Sequence, residues 1–451
     1  MRRSAAIPSA VRSAVLATAL LLVLSCVSTN LPPISSQGGG FAPLRDEQAL
    51  WEESRAEEAK LLAHVRLVGD SRLEAYLDRV ADRLSPPGPA TGPEAPSPIH
   101  YRVRVIADPS LNAFAYPHGS IYLHSGLLAR LDGEDELATV LGHEMTHVDG
   151  RHMLRRNRSA HNKEVGFTIA AVAAAVAIAV AADGAWTGDD WGNSEAVEAA
   201  GNVFLELGLQ LAWVASIDGY GRALEAEADE GGFARMAAAG YDLREAPKVY
   251  QALLDEGLDD DGLKKAGEPH RAEAFFFSSH PRLRERKAAA GSYLARHPQA
   301  ELGKAESADD FARHLQPVIR EDARLNLEQG RLKLAESEIA KARAWRPDDP
   351  ETQFLKGRLR LAQSVLEIRP EERGRLERAA EDSFRKAIEL DASLPGPHRE
   401  LGLLLYGQHD HRGACTQLRR YLRLAPDAGE TERTEAVDDA LAAMEQLGSC
   451  G

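Results

Sequence analysis

Residues 143–147 read His143-Glu144-Met145-Thr146-His147. On an α-helix, positions i and i+4 share one face, so both imidazoles can reach a single cation. Glu144, next to the first histidine, stands where a carboxylate can hold a water and take its proton. Zinc held by such a pair polarises a carbonyl and lowers the pKa of water, the two requirements of amide hydrolysis. The pentamer is the H-E-x-x-H pattern. It continues Glu136-Leu137-Ala138-Thr139-Val140-Leu141-Gly142, a helical run with an apolar face, so the histidines belong to a helix and not a loop. The plainer alternative is a structural histidine pair.

A catalytic zinc needs a third protein ligand and an open fourth position. His152 lies five residues past His147, which on a continuous helix turns it to another face. Downstream, Glu225 and Asp229 stand at i and i+4 in Arg222-Ala223-Leu224-Glu225-Ala226-Glu227-Ala228-Asp229. Glu225 offers a ligand, and Asp229 offers a carboxylate to orient a ligating histidine. On residue types alone, the same pair reads equally as a solvated helix face.

Taken together, Leu137…His143-Glu144-Met145-Thr146-His147-Val148…Arg151-His152, then Arg222…Glu225…Glu227-Ala228-Asp229, then Gly240-Tyr241-Asp242, resembles the HtpX and CAAX prenyl endopeptidase family. The likeness is greater to its periplasmic BepA-like branch, whose members carry tetratricopeptide repeats. The resemblance implies one Zn2+ per chain, with His143, His147 and Glu225 as ligands, Glu144 as catalytic base, and Asp229 and Arg286 supporting the ligands. Asn112-Ala113-Phe114 and the residues to Tyr122 are similar to the family's strand pair beside the active site, an edge to which an extended substrate could add. Ser279-His280-Pro281 is similar to a segment whose histidine, in BepA-like proteins, can occupy the open zinc position. His280 would either do this or assist the chemistry. One departure is Gly221, where family members often have Ser before the residue matching Arg222.

The surrounding sequence indicates what must position these groups. Asp46 to about Leu67 reads as a charged helix, and Asp70 as the N-cap of a second whose buried face is Leu73, Tyr76, Leu77, Val80 and Leu84. Tyr101, Val103 and Val105 alternate with polar residues and predict a half-buried strand. Asn112–Tyr116 and Ser120–His124 read as two more. Residues 166–182 are uncharged but short and alanine-rich for a membrane span, so a buried helix or hairpin is expected, with a helix dipping into the membrane surface as the alternative. Further on, Pro350 to Gly357 and Pro395 to Gly402 repeat one spacing at a distance of 45 residues, as in tetratricopeptide helix pairs. A generic helical bundle is the alternative.

The expected fold is therefore mainly α (α+β): a zincin-type protease domain with a small sheet over 46–298, then a helical, tetratricopeptide-like repeat domain over 318–450. Residues 1–26 read as a lipoprotein signal, with Arg2, Arg3 and Arg12 before an apolar run that ends at Leu24-Ser25-Cys26. Cys26 is the expected lipidation site, and 27–45, rich in Ser, Pro and Gly, a flexible tether. Cys415 and Cys450 are an open choice between a disulfide and two thiols. The net charge of −15 argues against a nucleic-acid partner. The expected function is a membrane-anchored zinc endopeptidase of the cell envelope, facing the periplasm from the outer membrane. Its substrates would be unfolded or misassembled envelope proteins, and its repeats would meet the outer-membrane assembly machinery. A non-catalytic chaperone or scaffold is the competing reading.

Overall fold

The computed structural model describes residues 27–85, 99–182, 221–255, 283–298, 305–425, 432–448 and 450, without the side chains of 38–40, 168–182 and 432–434. Two helices open it, α1 (Arg45–His64) and α2 (Ser71–Leu84). Asp70 caps α2, its side chain accepting from the amides of Arg72 and Leu73 at 2.8 and 3.0 Å. Leu73, Tyr76, Leu77, Val80 and Leu84 form the buried face, as their spacing predicts.

The sheet has three strands, β1 (Arg102–Ile106), β2 (Ala113–Ala115) and β3 (Ser120–His124), in the order β1-β3-β2. β1 runs parallel to β3, with Val103 opposite Ile121, and β2 runs antiparallel to β3, with Phe114 opposite Tyr122. β2 thus lies at the sheet edge. After the short α3 (Ser125–Arg130) comes α4 (Glu134–Asp149), which carries the H-E-x-x-H residues, and then α5 (His152–Ala182). The uncharged stretch 166–182 continues α5. No helix of the described residues is long and apolar enough to cross a membrane. The N-terminal half is completed by α6 (Arg222–Ala239), α7 (Ala246–Asp255) and α8 (Leu283–Arg296).

The C-terminal region is helical throughout: α9 (Ala308–Glu328), α10 (Leu332–Trp345), α11 (Pro350–Leu366), α12 (Pro370–Leu390), α13 (Pro395–Gly407), α14 (His411–Leu424) and α15 (Glu432–Gln446). The two proline-to-glycine blocks found in the sequence open α11 and α13. Proline suits the first turn, where its missing N–H costs no hydrogen bond. Gly357 and Gly402 lie where each helix meets its partner: a Cβ at Gly357 would fall 2.4 Å from Phe384, and one at Gly402 2.4 Å from Leu418. Cys415 and Cys450 are joined as a disulfide, which pins the C-terminus to α14.

Two features depart from the sequence reading. The first is the segment expected to be a tether, which instead lies against the end of α4. Ile34 is 2% exposed, and its amide donates to Asp149 O at 2.9 Å. The Ser35 amide and hydroxyl both reach the Asp149 carboxylate at 2.7 Å. The last carbonyls of α4 have no partner within the helix, and this strand of chain satisfies one of them. The second is the start of the C-terminal region. Helix α9 begins at Ala308, and Phe311, Leu315, Val318 and Ile319 belong to one hydrophobic core with α2, the sheet and α4. The first helix of the C-terminal region is therefore part of the core that carries the sheet and α4.

Candidate metal centre

Helices α4 and α6 cross at glycine. A Cβ on Gly142 would sit 3.0 Å from the carbonyl oxygen of Gly232, and one on Gly232 would sit 2.9 Å from the amide nitrogen of His143. Without side chains the two backbones touch, and the faces carrying His143 and His147 on α4 and Glu225 and Asp229 on α6 are brought together. A glycine inside a helix costs about 1 kcal/mol relative to alanine, so two facing each other mark a close approach.

The His143 and His147 Nε2 atoms lie 3.0 Å apart. The Glu225 carboxylate stands 3.6 Å from the first and 3.5 Å from the second. All three residues are buried, and one ligand atom of each lies within 4.8 Å of the others. Among the described residues no other set of three or more His, Cys, Asp or Glu comes together in this way. Two imidazoles and a carboxylate are the donor set of a catalytic zinc. The charges agree. Glu144, Glu225 and Asp229 formally bring three negative charges to a site that contains one guanidinium, Arg286, and a divalent cation would offset the excess.

Each histidine is held from behind by a different device. His143 Nδ1 is 2.9 Å from Asp229 Oδ1. Arg286 donates to the same carboxylate, with its Nη2 at 2.7 Å, and Tyr250 donates its hydroxyl at 3.1 Å. Burial alone would push the Asp229 carboxyl up, but Arg286 and His143 outweigh it and hold the group well below the usual carboxylate range. His147 turns its Nδ1 to His152, whose Nδ1 lies 2.9 Å away. His152 is fully buried, and burial pushes its pKa down to about 4 against the pull of Glu227.

Helical spacing turns His152 to another face only on one continuous helix, and the helix is not continuous here. The chain breaks at Gly150, and Arg151 takes φ 56, the left-handed region. That conformation costs a non-glycine residue about 1–2 kcal/mol. Glu47 on α1 holds it there through two buried hydrogen bonds, from Nε at 2.9 Å and Nη2 at 2.7 Å. The Phe41 ring packs 5.0 Å from the guanidinium carbon.

Of the other sequence-derived residues, Asn112 is buried, and Ala113 and Phe114 lie on β2, which packs against α4. Ala115 and Pro117, at the end of that strand, line a hollow with His147, Leu50 and Trp51. Glu144 is buried and lines a narrow cleft with Leu127, Val140, Val249 and Tyr250. Cys26 and His280 lie outside the described residues. Tyr250, His152, Glu47 and the Gly142–Gly232 contact were not found from the sequence. Only the Gly231-Gly232 pair inside a helical run carried a signal.

Residues 71–293 match peptidase family M48. The chain is 34% identical over 230 residues to a Vibrio cholerae protein provisionally named a beta-barrel assembly-enhancing protease, a stretch that covers 50% of this chain and 42% of that protein. It is 27% identical over 231 residues to the beta-barrel assembly-enhancing protease of Escherichia coli strain K12, covering 50% of this chain and 41% of the relative. Against the mitochondrial metalloendopeptidase OMA1 of Arabidopsis thaliana, identity is 30% over 161 residues, or 36% of this chain and 27% of the relative. The matched stretch thus spans less than half of each relative.

Proposed function

Since residues 71–293 make this chain a metallopeptidase of family M48, similar to the beta-barrel assembly-enhancing proteases, we propose that it is a zinc-dependent endopeptidase acting on unfolded or misassembled cell-envelope proteins. The observation that carries this reading is the convergence of His143, His147 and Glu225, with Glu144 buried beside them. These three residues would hold the zinc. The bound ion would supply a Lewis acid for the scissile carbonyl and lower the pKa of a water.

The chain's own residues do the rest. Glu144 takes the proton of the attacking water and passes it to the leaving amine. Asp229 keeps the proton of His143 on Nδ1, which leaves Nε2 facing Glu225 and His147. Arg286 and Tyr250 fix that carboxylate. An extended substrate adds to the edge strand β2, its backbone pairing along Ala113–Ala115. Cys26 is the proposed lipid anchor, which would hold the enzyme at the outer membrane facing the periplasm. The paired helices α11–α14 would then engage clients or assembly machinery.

The test is zinc content and casein cleavage of the purified protein beside its Glu144→Gln variant. One zinc per chain with cleavage that disappears in the variant is the expected result. A wild-type protein that binds no zinc would overturn the proposal.

A further inference from the structure

We infer that His152 is a positioning residue: it fixes the tautomer and ring orientation of His147 and so sets the affinity of the metal centre. The inference rests on the metal-site reading given above. It follows from a hydrogen-bond arrangement that takes one placement of protons once His147 is a ligand. His147 Nε2 faces His143 and Glu225, so as a ligand it must present a lone pair there. Its proton then sits on Nδ1 and donates across 2.9 Å to His152 Nδ1. His152, accepting at Nδ1, carries its own proton on Nε2. That nitrogen faces Glu227 Oε1 at 3.5 Å, and Glu227 is held by Arg155 at 2.8 Å. Donor and acceptor thus agree across the His147–His152 contact, and the outer nitrogen of His152 faces a carboxylate.

The local backbone is built to put the ring there. A Cβ on Gly150 would fall 2.5 Å from His152 Nε2 and 2.9 Å from Thr146 O, so the imidazole fills the space that a side chain would need. Arg151 adopts a left-handed φ that an arginine rarely takes, and Glu47 clamps it. Without that turn α4 would run on, and position 152 would face away from position 147. A strained turn, a required glycine and a buried bidentate ion pair thus converge on one ring. They also give helix α1, through Glu47, a part in shaping the metal centre.

The test uses the full chain with Glu144→Gln to prevent self-cleavage, titrated with zinc in competition with a chromogenic chelator. His152→Asn keeps an amide oxygen near the place of Nδ1 and should bind zinc within a few-fold of the parent. His152→Phe, which fills the space without an acceptor, should bind about 10–100-fold more weakly, the usual cost of losing a partner of a ligating histidine. Gly150→Ala, which displaces the ring, should lose a similar factor. If His152→Phe does not fold, His152→Gln takes its place, since its amide reaches the position of Nε2 and not Nδ1. Parental affinity in His152→Phe, or equal affinity in the Asn and Gln variants, would overturn the inference. Failure of the parent to bind zinc would instead remove the metal-site reading.

Discussion

Two buried clusters in this chain contain the same kinds of residue and do different work. One is the candidate metal centre on α4 and α6. The other joins α3 to α9 and α10: Ser125 donates to Asp322 at 2.7 Å, Arg130 pairs with Glu338 at 2.8 Å, and Asn326 donates to both acids at 3.1 and 2.8 Å. Both hold surplus carboxylates around one arginine. At the joint, burial and the neighbouring Glu338 push Asp322 up to about 8, so the cluster settles its excess negative charge by keeping a proton. At the metal centre Asp229 stays ionised between a guanidinium and an imidazole, and the excess is left for a cation. What separates a structural cluster from a metal site here is the set of neighbours: amide and hydroxyl donors at the joint, and lone-pair nitrogens facing inward at the centre.

The most severe way to test that contrast is to remove groups from the metal side. Glu144→Gln should keep zinc while casein cleavage falls by about 10²–10⁴-fold, the range for a lost general base. Cleavage at the parental rate would mean that the water is activated by another group. Arg286→Met should leave the buried Asp229 without its cation, held only by Tyr250 and His143, at a cost of about 3–5 kcal/mol in urea unfolding of the metal-free protein. An unchanged midpoint would show that the carboxylate finds other partners. Gly232→Ala should cost about 1–3 kcal/mol by overpacking the helix crossing, and zinc affinity should fall with it, because the new Cβ meets the His143 backbone. Zinc binding that survives intact would separate the crossing from the centre.

How much of this the sequence carried depended on the kind of signal. Periodic burial is written along the chain, which is why the α2 face, the alternation of β1 and the helix around His143 and His147 were legible. Proline at the start of α11 and α13 was equally plain. The position of His152 was not, because an arginine at positive φ has no composition signature, and helical spacing then points the wrong way. Nor was the seating of Ile34 and Ser35, since a segment rich in Ser, Pro and Gly reads as loose whenever its partner, here the end of α4, is far along the chain. The place of α9 in the catalytic core was hidden for the same reason: an apolar helix face does not say which neighbour covers it.

The smallest predicted effect concerns the joint, and its sign follows from the raised carboxyl. Asp322 has an ordinary value of 3.8 and is pushed to about 8 in the folded protein, so between those limits the folded state holds a proton that the unfolded chain has released. The stabilisation is complete below about pH 4 and is lost as pH rises through the folded value of about 8. Melting temperature should therefore be lower at pH 8 than at pH 6 because of this group. Asp322→Asn, which is neutral at every pH and can still accept from Ser125, should flatten that part of the profile by a few degrees. The experiment belongs in the metal-free protein, so that zinc binding adds no pH dependence of its own. An unchanged profile in the variant would mean that Asp322 is already ionised in the folded protein, held by Arg130. The joint would then be an ordinary ion-pair network, and the two clusters would differ in the number of their charges rather than in how those charges are settled.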